Sequence, residues 1–157
     1  MSETQWHLVR VEVPDAGVDT LLESHHALMS SQTPAESCHV MTGADLRAAG
    51  AQIYALRDPV GEVLAIGAVK PLADGSVELK SMHTAEAARG RGLGRIMLGH
   101  LIEGSRRLGA REVLLETGSG AEFAAARKLY EGAGFGYRGP FADYVEDPLS
   151  VFLSRPI

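Results

Sequence analysis

Residues 89–95 read RGRGLGR: Gly90, Gly92 and Gly94 alternate with arginines at 89, 91 and 95, with Leu93 between. Upstream lies ELKSMHT (Glu78–Thr84), patterned like a strand, and downstream IMLGHLIEGSRRL (Ile96–Leu108), patterned like a helix. A helix N-terminus leaves its first N–H groups without intrahelical partners and carries about half a positive charge. Glycines there let an anion reach those N–H groups, and arginines add charge of the right sign. A phosphate, and best a pyrophosphate, is the ligand this chemistry favours. The same residues could equally make a plain tight connection with solvated arginines. Two other phosphate motifs fail on the letters. No G-x-x-x-x-G-K-S/T is present, and a G-x-G-x-x-G starting at Gly90 would need glycine where Arg95 stands.

The turn needs a strand before it and a helix behind it, and the surrounding pattern supplies both. Trp6–Val13 alternates as a strand does, and Pro14 and Asp15 open a helix with Val18, Leu21, Leu22, His25 and Leu28/Met29 on one stripe. Gln32–Met41 reads as loop, and Thr42 with Asp45 caps a short helix ending near Gly50. Strands are predicted over 51–57, 62–70 and 76–84, joined by turns at DPVG and Asp74-Gly75. Helical spacing runs from Leu93 through Met97, Leu101 and Leu108 and stops at Gly109. A buried strand follows at 112–117. Ser119 with Glu122 reads as the capping box of a helix that buries Phe123, Ala126, Leu129 and Tyr130. Two last strands fall near 135–139 and 150–155. The order β-α-α-β-β-β-α-β-α-β-β predicts a mixed α/β (α+β) fold. Its sheet should have six to seven mostly antiparallel strands, about four helices, and a parallel pair made by the crossover at 84–112.

The chain has 157 residues, 45% of them hydrophobic and 22% charged, which predicts one domain over 1–157 with an ordinary core. A net charge of −5 argues against general nucleic-acid binding, so the basic turn is a local exception. One cysteine, Cys38, excludes an internal disulfide. No apolar run approaches the ~20 residues that span a bilayer, and MSETQWHLVR lacks the basic and apolar parts of a leader. The expectation is a cytoplasmic protein with no membrane partner.

Arg89-x-x-Gly92-x-Gly94 resembles the Q/R-x-x-G-x-G/A motif of the GNAT N-acetyltransferase superfamily, in which this turn holds the pyrophosphate of acetyl-coenzyme A. ELKSMHT…RGRGLG is similar to the E-I/L-K-x-M/L-x-V…RGxGxG variant of small bacterial acetyltransferases. KLYEGAGF (Lys128–Phe135) resembles the family's L-Y-x-x-x-G-F stretch. Two places depart: Phe123 stands where the family often has an Asn that contacts the pantetheine arm, and Thr84 stands where the strand motif ends in Val. The resemblance implies a coenzyme site made of Met82, His83 and Thr84 along the strand and Arg89, Gly90, Arg91, Gly92, Leu93, Gly94 and Arg95 at the turn. It implies acetyl-CoA as acyl donor and no metal.

Acetyl transfer to an amine must remove a proton from an ammonium whose pKa is near ~10, stabilise charge on the thioester oxygen, and help a thiolate leave. By the resemblance, Glu78, eleven residues before Arg89, is the general base, acting through water, and Tyr130 is the acid facing the coenzyme sulfur. A backbone N–H among Met82–Thr84 would polarise the thioester. Strict alternation puts Glu78, Lys80, Met82 and Thr84 on one face of the strand and Leu79, Ser81 and His83 on the other. Glu78 could also be a strand carboxylate paired with Lys80, and Tyr130 a core tyrosine. Cys38 beside His39 would allow an acetyl-cysteine route, and His25, His26, His39 and Glu36 a metal site; neither spacing favours it. In the loop FADYVEDP (Phe141–Pro148), Asp143, Tyr144 and Glu146 could hold a cationic amine or be solvated. The resulting expectation is transfer to a primary amine of a small molecule or amino-acid-like acceptor, with room for a homodimer. A non-catalytic acyl-CoA-binding module and a protein N-terminal or lysine acetyltransferase are the alternatives.

Overall fold

Asp15 separates the first strand from the first helix: its carboxylate accepts a hydrogen bond from the Val18 N–H at 3.1 Å and an ion pair from Arg57 at 2.5 Å. The computed structural model describes residues 6–157, and residues 1–5, half of the stretch read for a leader, lie outside the described residues. The elements are β1 (His7–Val11), α1 (Ala16–Gln32), α2 (Gly43–Ala48), β2 (Gln52–Arg57), β3 (Val63–Pro71), β4 (Val77–Thr84), α3 (Leu93–Arg107), β5 (Glu112–Gly118), α4 (Ala124–Gly132), β6 (Gly136–Arg138) and β7 (Ser150–Pro156). The expected order of strands and helices is the observed one. Thr42 and Asp45 do form a reciprocal capping box at α2. The expected loop at 32–41 also contains a 3-10 turn, Ala35–Ser37.

All seven strands join in one sheet, ordered β1-β2-β3-β4-β5-β7-β6, antiparallel except for β4 and β5. That parallel ladder is short, pairing only Val77 with Val113 and Glu78 with Leu114. β4 runs on to Thr84 and β5 to Gly118, so the two strands part beyond Glu78 and leave an opening in the sheet. One face of the sheet carries α1 and α2 over Val18, Leu22, Leu46, Ile53 and Ile66. The other carries α3 and α4 over Leu56, Val69, Leu79, Met97, Leu101 and Tyr130. Gly67 lets α3 come close, because a Cβ there would meet Leu101 Cδ1 at 2.7 Å and Met97 Cγ at 3.1 Å. No helix among the described residues is long and apolar enough to cross a membrane.

Two local expectations give way to the structure. Ser119 and Glu122 make no capping box. Ser119 Oγ instead donates to Pro148 O at 2.6 Å, and a 3-10 turn, Ala121–Phe123, precedes α4. The Arg127 guanidinium instead ties α4 to the segment before it, donating to Gly118 O and Gly120 O at 2.8 Å each. The second difference is in β4. Ala68 pairs with Lys80 but Ile66 pairs with His83, so β4 carries one extra residue, a bulge at which Ser81 adopts φ 58°. Past the bulge the alternation inverts. Met82 packs toward Tyr130 on the α3/α4 side, and His83 turns to the α1 side that Glu78 and Lys80 face. The strict alternation read from the sequence therefore fails at Ser81.

Candidate active site

At the glycine turn, Gly90 and Gly92 have φ of 83° and 75°, a conformation L side chains rarely adopt, and Gly92 caps α3. A Cβ at either position would meet nothing within 4 Å, so the backbone borders open space. The first helical bond joins Ile96 N–H to Gly92 O at 3.3 Å. The N–H groups of Leu93, Gly94 and Arg95 precede it without intrahelical acceptors, and no acidic residue sits in the first turn. Leu93 itself is buried and anchors the turn to the core, and Arg89 Nε donates to Thr84 O at 3.2 Å, tying the turn to the strand end. Bare N–H groups at a positive helix end, with arginines around them, suit a pyrophosphate; the structure thus meets the chemical requirement the motif sets.

The opening between β4 and β5 leads into a cleft lined by Glu78, Lys80, Ser81, Met82, Glu116 and Tyr130, with the 37–40 segment above it. Glu78 and Tyr130, separated by 52 positions, reach the same cleft. Glu78 is only 2% exposed. Its Oε2 accepts a short hydrogen bond from the Tyr144 hydroxyl and an ion pair from Lys80 Nζ at 3.5 Å. Lys80 Nζ also donates to the Tyr144 hydroxyl oxygen and to His39 O, both at 3.1 Å, so its three donors are committed. Burial, followed by the charge and hydrogen bond of Glu78, pushes the Tyr144 phenol far up, so it keeps its proton.

Tyr130 is buried against Phe135, and its hydroxyl meets Met82 Sδ at 3.7 Å. Burial and then the nearby Glu116 carboxylate raise it to about 12. Across the opening, Glu116 on β5 accepts from Ser150 Oγ at 2.8 Å, and burial first, with Glu78 adding, raises its carboxyl above the usual range. Behind Lys80, His25 of α1 faces His83 of β4, Nδ1 to Nδ1, at 3.3 Å. Burial, and then His83, drives His25 down to about 4.

The sequence-derived residues thus fall into groups. Glu78, Met82 and Tyr130 line the cleft, and the 89–95 turn stands at the start of α3. His83 and Thr84 occupy the stretch of β4 between them. In the 141–148 loop, Asp143 and Glu146 are exposed, while Tyr144 turns inward between Phe141, Phe152 and His39. Cys38 lines the cleft, but His39 is engaged through its ring with Tyr144 and through its carbonyl with Lys80. Among the described residues no group of three His, Cys, Asp or Glu side chains is placed to hold a metal. Glu116 and Ser81 were missed. A buried carboxylate within the apolar run VLLETG was the available signal for Glu116, and nothing in the letters marks Ser81.

The family model described as Acetyltransferase (GNAT) family matches residues 19–135. The uncharacterized N-acetyltransferase YsnE of Bacillus subtilis strain 168 is 40% identical over 141 residues, 89% of this chain and 92% of that protein. The IAA acetyltransferase of Azospirillum brasilense is 34% identical over 139 residues, covering 87% of this chain and 88% of that protein. A crystal structure from Klebsiella pneumoniae subsp. pneumoniae, solved as a candidate acyl-CoA N-acyltransferase, superimposes with a TM-score of 0.78 at 28% identity, covering 98% and 99% of the two chains. A Bacillus subtilis acetyltransferase solved in complex with CoA shares the fold, with a TM-score of 0.71 at 15% identity over 97% and 99% of the chains. The fold is thus shared with solved acyltransferases, and the chain belongs to the GNAT family of acetyltransferases.

Proposed function

We propose that this acetyltransferase moves an acetyl group from acetyl-CoA directly to a primary amine of a small molecule or amino-acid-like acceptor, with Glu78 and Tyr130 as its catalytic pair. One observation carries the reading: Glu78 and Tyr130 line one cleft at the point where β4 and β5 part, on the strand that leads to the glycine turn. Bound acetyl-CoA supplies an activated acetyl thioester. The N–H groups of Leu93–Arg95 and the arginines at 89, 91 and 95 hold its pyrophosphate, and β4 from Met82 to Thr84 aligns its arm.

The cleft selects a cation. Its carboxylates, Glu78 and Glu116, face one ammonium, Lys80, leaving one negative charge in excess. An acceptor arriving as R–NH3⁺ offsets that charge. It must then lose a proton to become a nucleophile, because its free pKa lies near ~10. The hydrogen bonds to Glu78 all fall on Oε2, held by Tyr144 and Lys80, and Oε1 is the atom that receives the proton, directly or through water. Tyr130 has a different task. At about 12 it stays protonated at neutral pH, and a thiol near ~8.5 is the stronger acid. Tyr130 therefore stabilises the departing sulfur by donating a hydrogen bond rather than by giving up its proton outright.

Release of free thiol from acetyl-CoA across a panel of small primary amines, carboxylic acids and peptides tests the reading. Turnover with small amines and none with the acids is the expected result. Coenzyme binding with no turnover on any acceptor would leave a binding module, and turnover confined to peptides would move the acceptor class to proteins.

A further inference from the structure

The bulge in β4 holds a hydroxyl that no group among the described residues uses. Ser81 is 8% exposed, and its Oγ has no hydrogen-bond partner among the described residues. Among the described residues the other buried side-chain atoms in that state both belong to Arg47, away from the cleft. Buried hydroxyls are nearly always paired, so an unpaired one asks for a partner outside the chain. Ser81 also sits at φ 58°, a region in which a non-glycine residue is uncommon and which persists where its surroundings impose it. Both features coincide at one residue of the cleft wall, next to Met82 and three positions after Glu78.

We infer that the Ser81 hydroxyl donates a hydrogen bond to the thioester carbonyl oxygen of the acyl donor, and so is a catalytic residue; this rests on the acetyltransferase reading above. The resemblance assigns one donor to a backbone N–H among Met82–Thr84; a carbonyl oxygen has two lone pairs, and the other side chains of the cleft leave the second open. Glu78 and Glu116, when ionised, can only accept; Lys80 has its three donors committed to His39, Tyr144 and Glu78; and the single proton of the Tyr130 hydroxyl is the one assigned above to the departing sulfur. A thioester oxygen can only accept. It gains negative charge as the amine attacks, beside two carboxylates that would oppose that charge, and a hydroxyl donor there strengthens as the charge grows. No bond to Ser81 forms or breaks: its proton stays on Oγ, and the acetyl group passes from sulfur to nitrogen.

Three variants and three kinds of measurement test this. Removing a buried hydroxyl that has no partner should cost no stability, so Ser81→Ala should melt within a degree or two of the native protein or above it. Ser81→Gly should melt no lower than Ser81→Ala, because glycine accepts φ 58° without strain. By calorimetry, both should bind acetyl-CoA about 3- to 10-fold more weakly, with affinity for CoA, which lacks the carbonyl, unchanged. Turnover should fall about 10- to 10²-fold at unchanged KM for the amine. Equal losses for acetyl-CoA and CoA, or a rise in amine KM alone, would overturn the assignment, as would full activity in Ser81→Ala. Glu116→Gln serves as a control that weakens the amine side and leaves the acetyl-CoA to CoA ratio alone. Failure of the native protein to acetylate any amine would instead remove the reading on which this rests.

Discussion

In the proposed site, residues 90–95 contribute backbone from one short segment, whereas the proposed acceptor end is built of side chains from His39, Glu78, Lys80, Glu116, Tyr130 and Tyr144. The glycine turn makes its donors from N–H groups that any sequence would have, and the residues chosen there serve to keep side chains away. At the cleft the chemistry lies in carboxylates, phenols and an ammonium, with Tyr144 reaching Lys80 and Glu78 from 64 and 66 positions away. A backbone site tolerates variation in what surrounds it, provided the glycines stay. A side-chain site depends on the elements that deliver it, here the parting of β4 from β5 and the anchoring of Tyr144 between Phe141 and Phe152. One end can therefore fail without the other.

The largest expected effect is at the side-chain end. Glu78→Gln should lower turnover by roughly 10²–10⁴, the usual worth of a general base, with acetyl-CoA affinity close to native. The loss should shrink as pH rises, because more of the amine is then free without assistance. This variant should also melt lower, since Lys80, its side chain 9% exposed, loses the carboxylate it is paired with. A turnover loss of the same size at every pH would make Glu78 a positioning residue of the Tyr144–Lys80 network.

The backbone end should break the other way. Gly94→Val places a Cβ whose nearest neighbour is Leu129 Cδ2 at 3.5 Å, an ordinary contact, and Gly94 has no positive φ. The protein should fold as before, yet bind coenzyme at least about 10-fold more weakly as the new side chain intrudes on the pyrophosphate, a loss in the range of one charge-assisted hydrogen bond. Amine KM at saturating coenzyme should not move. Native coenzyme affinity in the folded variant would show that the turn is only a connection.

The same division explains what could be read in advance. Strands, helices and the 89–95 turn were legible because each announces itself within a dozen residues: apolar periodicity, a cap at Thr42 and Asp45, glycine at a helix start. The bulge was not, because one inserted residue leaves no mark in a strand of eight and yet exchanges the faces that Met82 and His83 occupy. Ser119 misled for a related reason. Its side chain had a competitor for the cap in Pro148 O, 29 positions away, and the long-range contact won. Glu78 could be placed, but not its enclosure by Tyr144, and Glu116 gained its importance only when β5 parted from β4.

The smallest expected effect lies behind the cleft, where the His25–His83 contact joins α1 to the bulged end of β4. His25 is held down to about 4 by burial first, then by His83, with His26 and Lys80 adding like charge. The unfolded chain takes up a proton near ~6.5 and the folded chain does not until about 4. Between those values the unfolded state binds more protons, so stability is complete above ~6.5 and drains away as pH falls toward 4. At pH 5.5 the loss is about 1 kcal/mol, one pH unit below the unfolded value. Gln at 25 keeps a polar group facing His83 and cannot titrate. Urea unfolding at pH 7.5 and 5.5 should therefore show a drop for the native chain that is about 1 kcal/mol larger than for His25→Gln. Some slope should remain, since burial lowers His83 as well. Equal drops in the two proteins would mean that His25 titrates alike in both states, and a smaller drop in the native chain than in His25→Gln would mean that the pair accepts a shared proton in the folded state. The α1–β4 contact would then strengthen in acid rather than loosen, and the acceptor end of the cleft would be the better braced of the two at low pH.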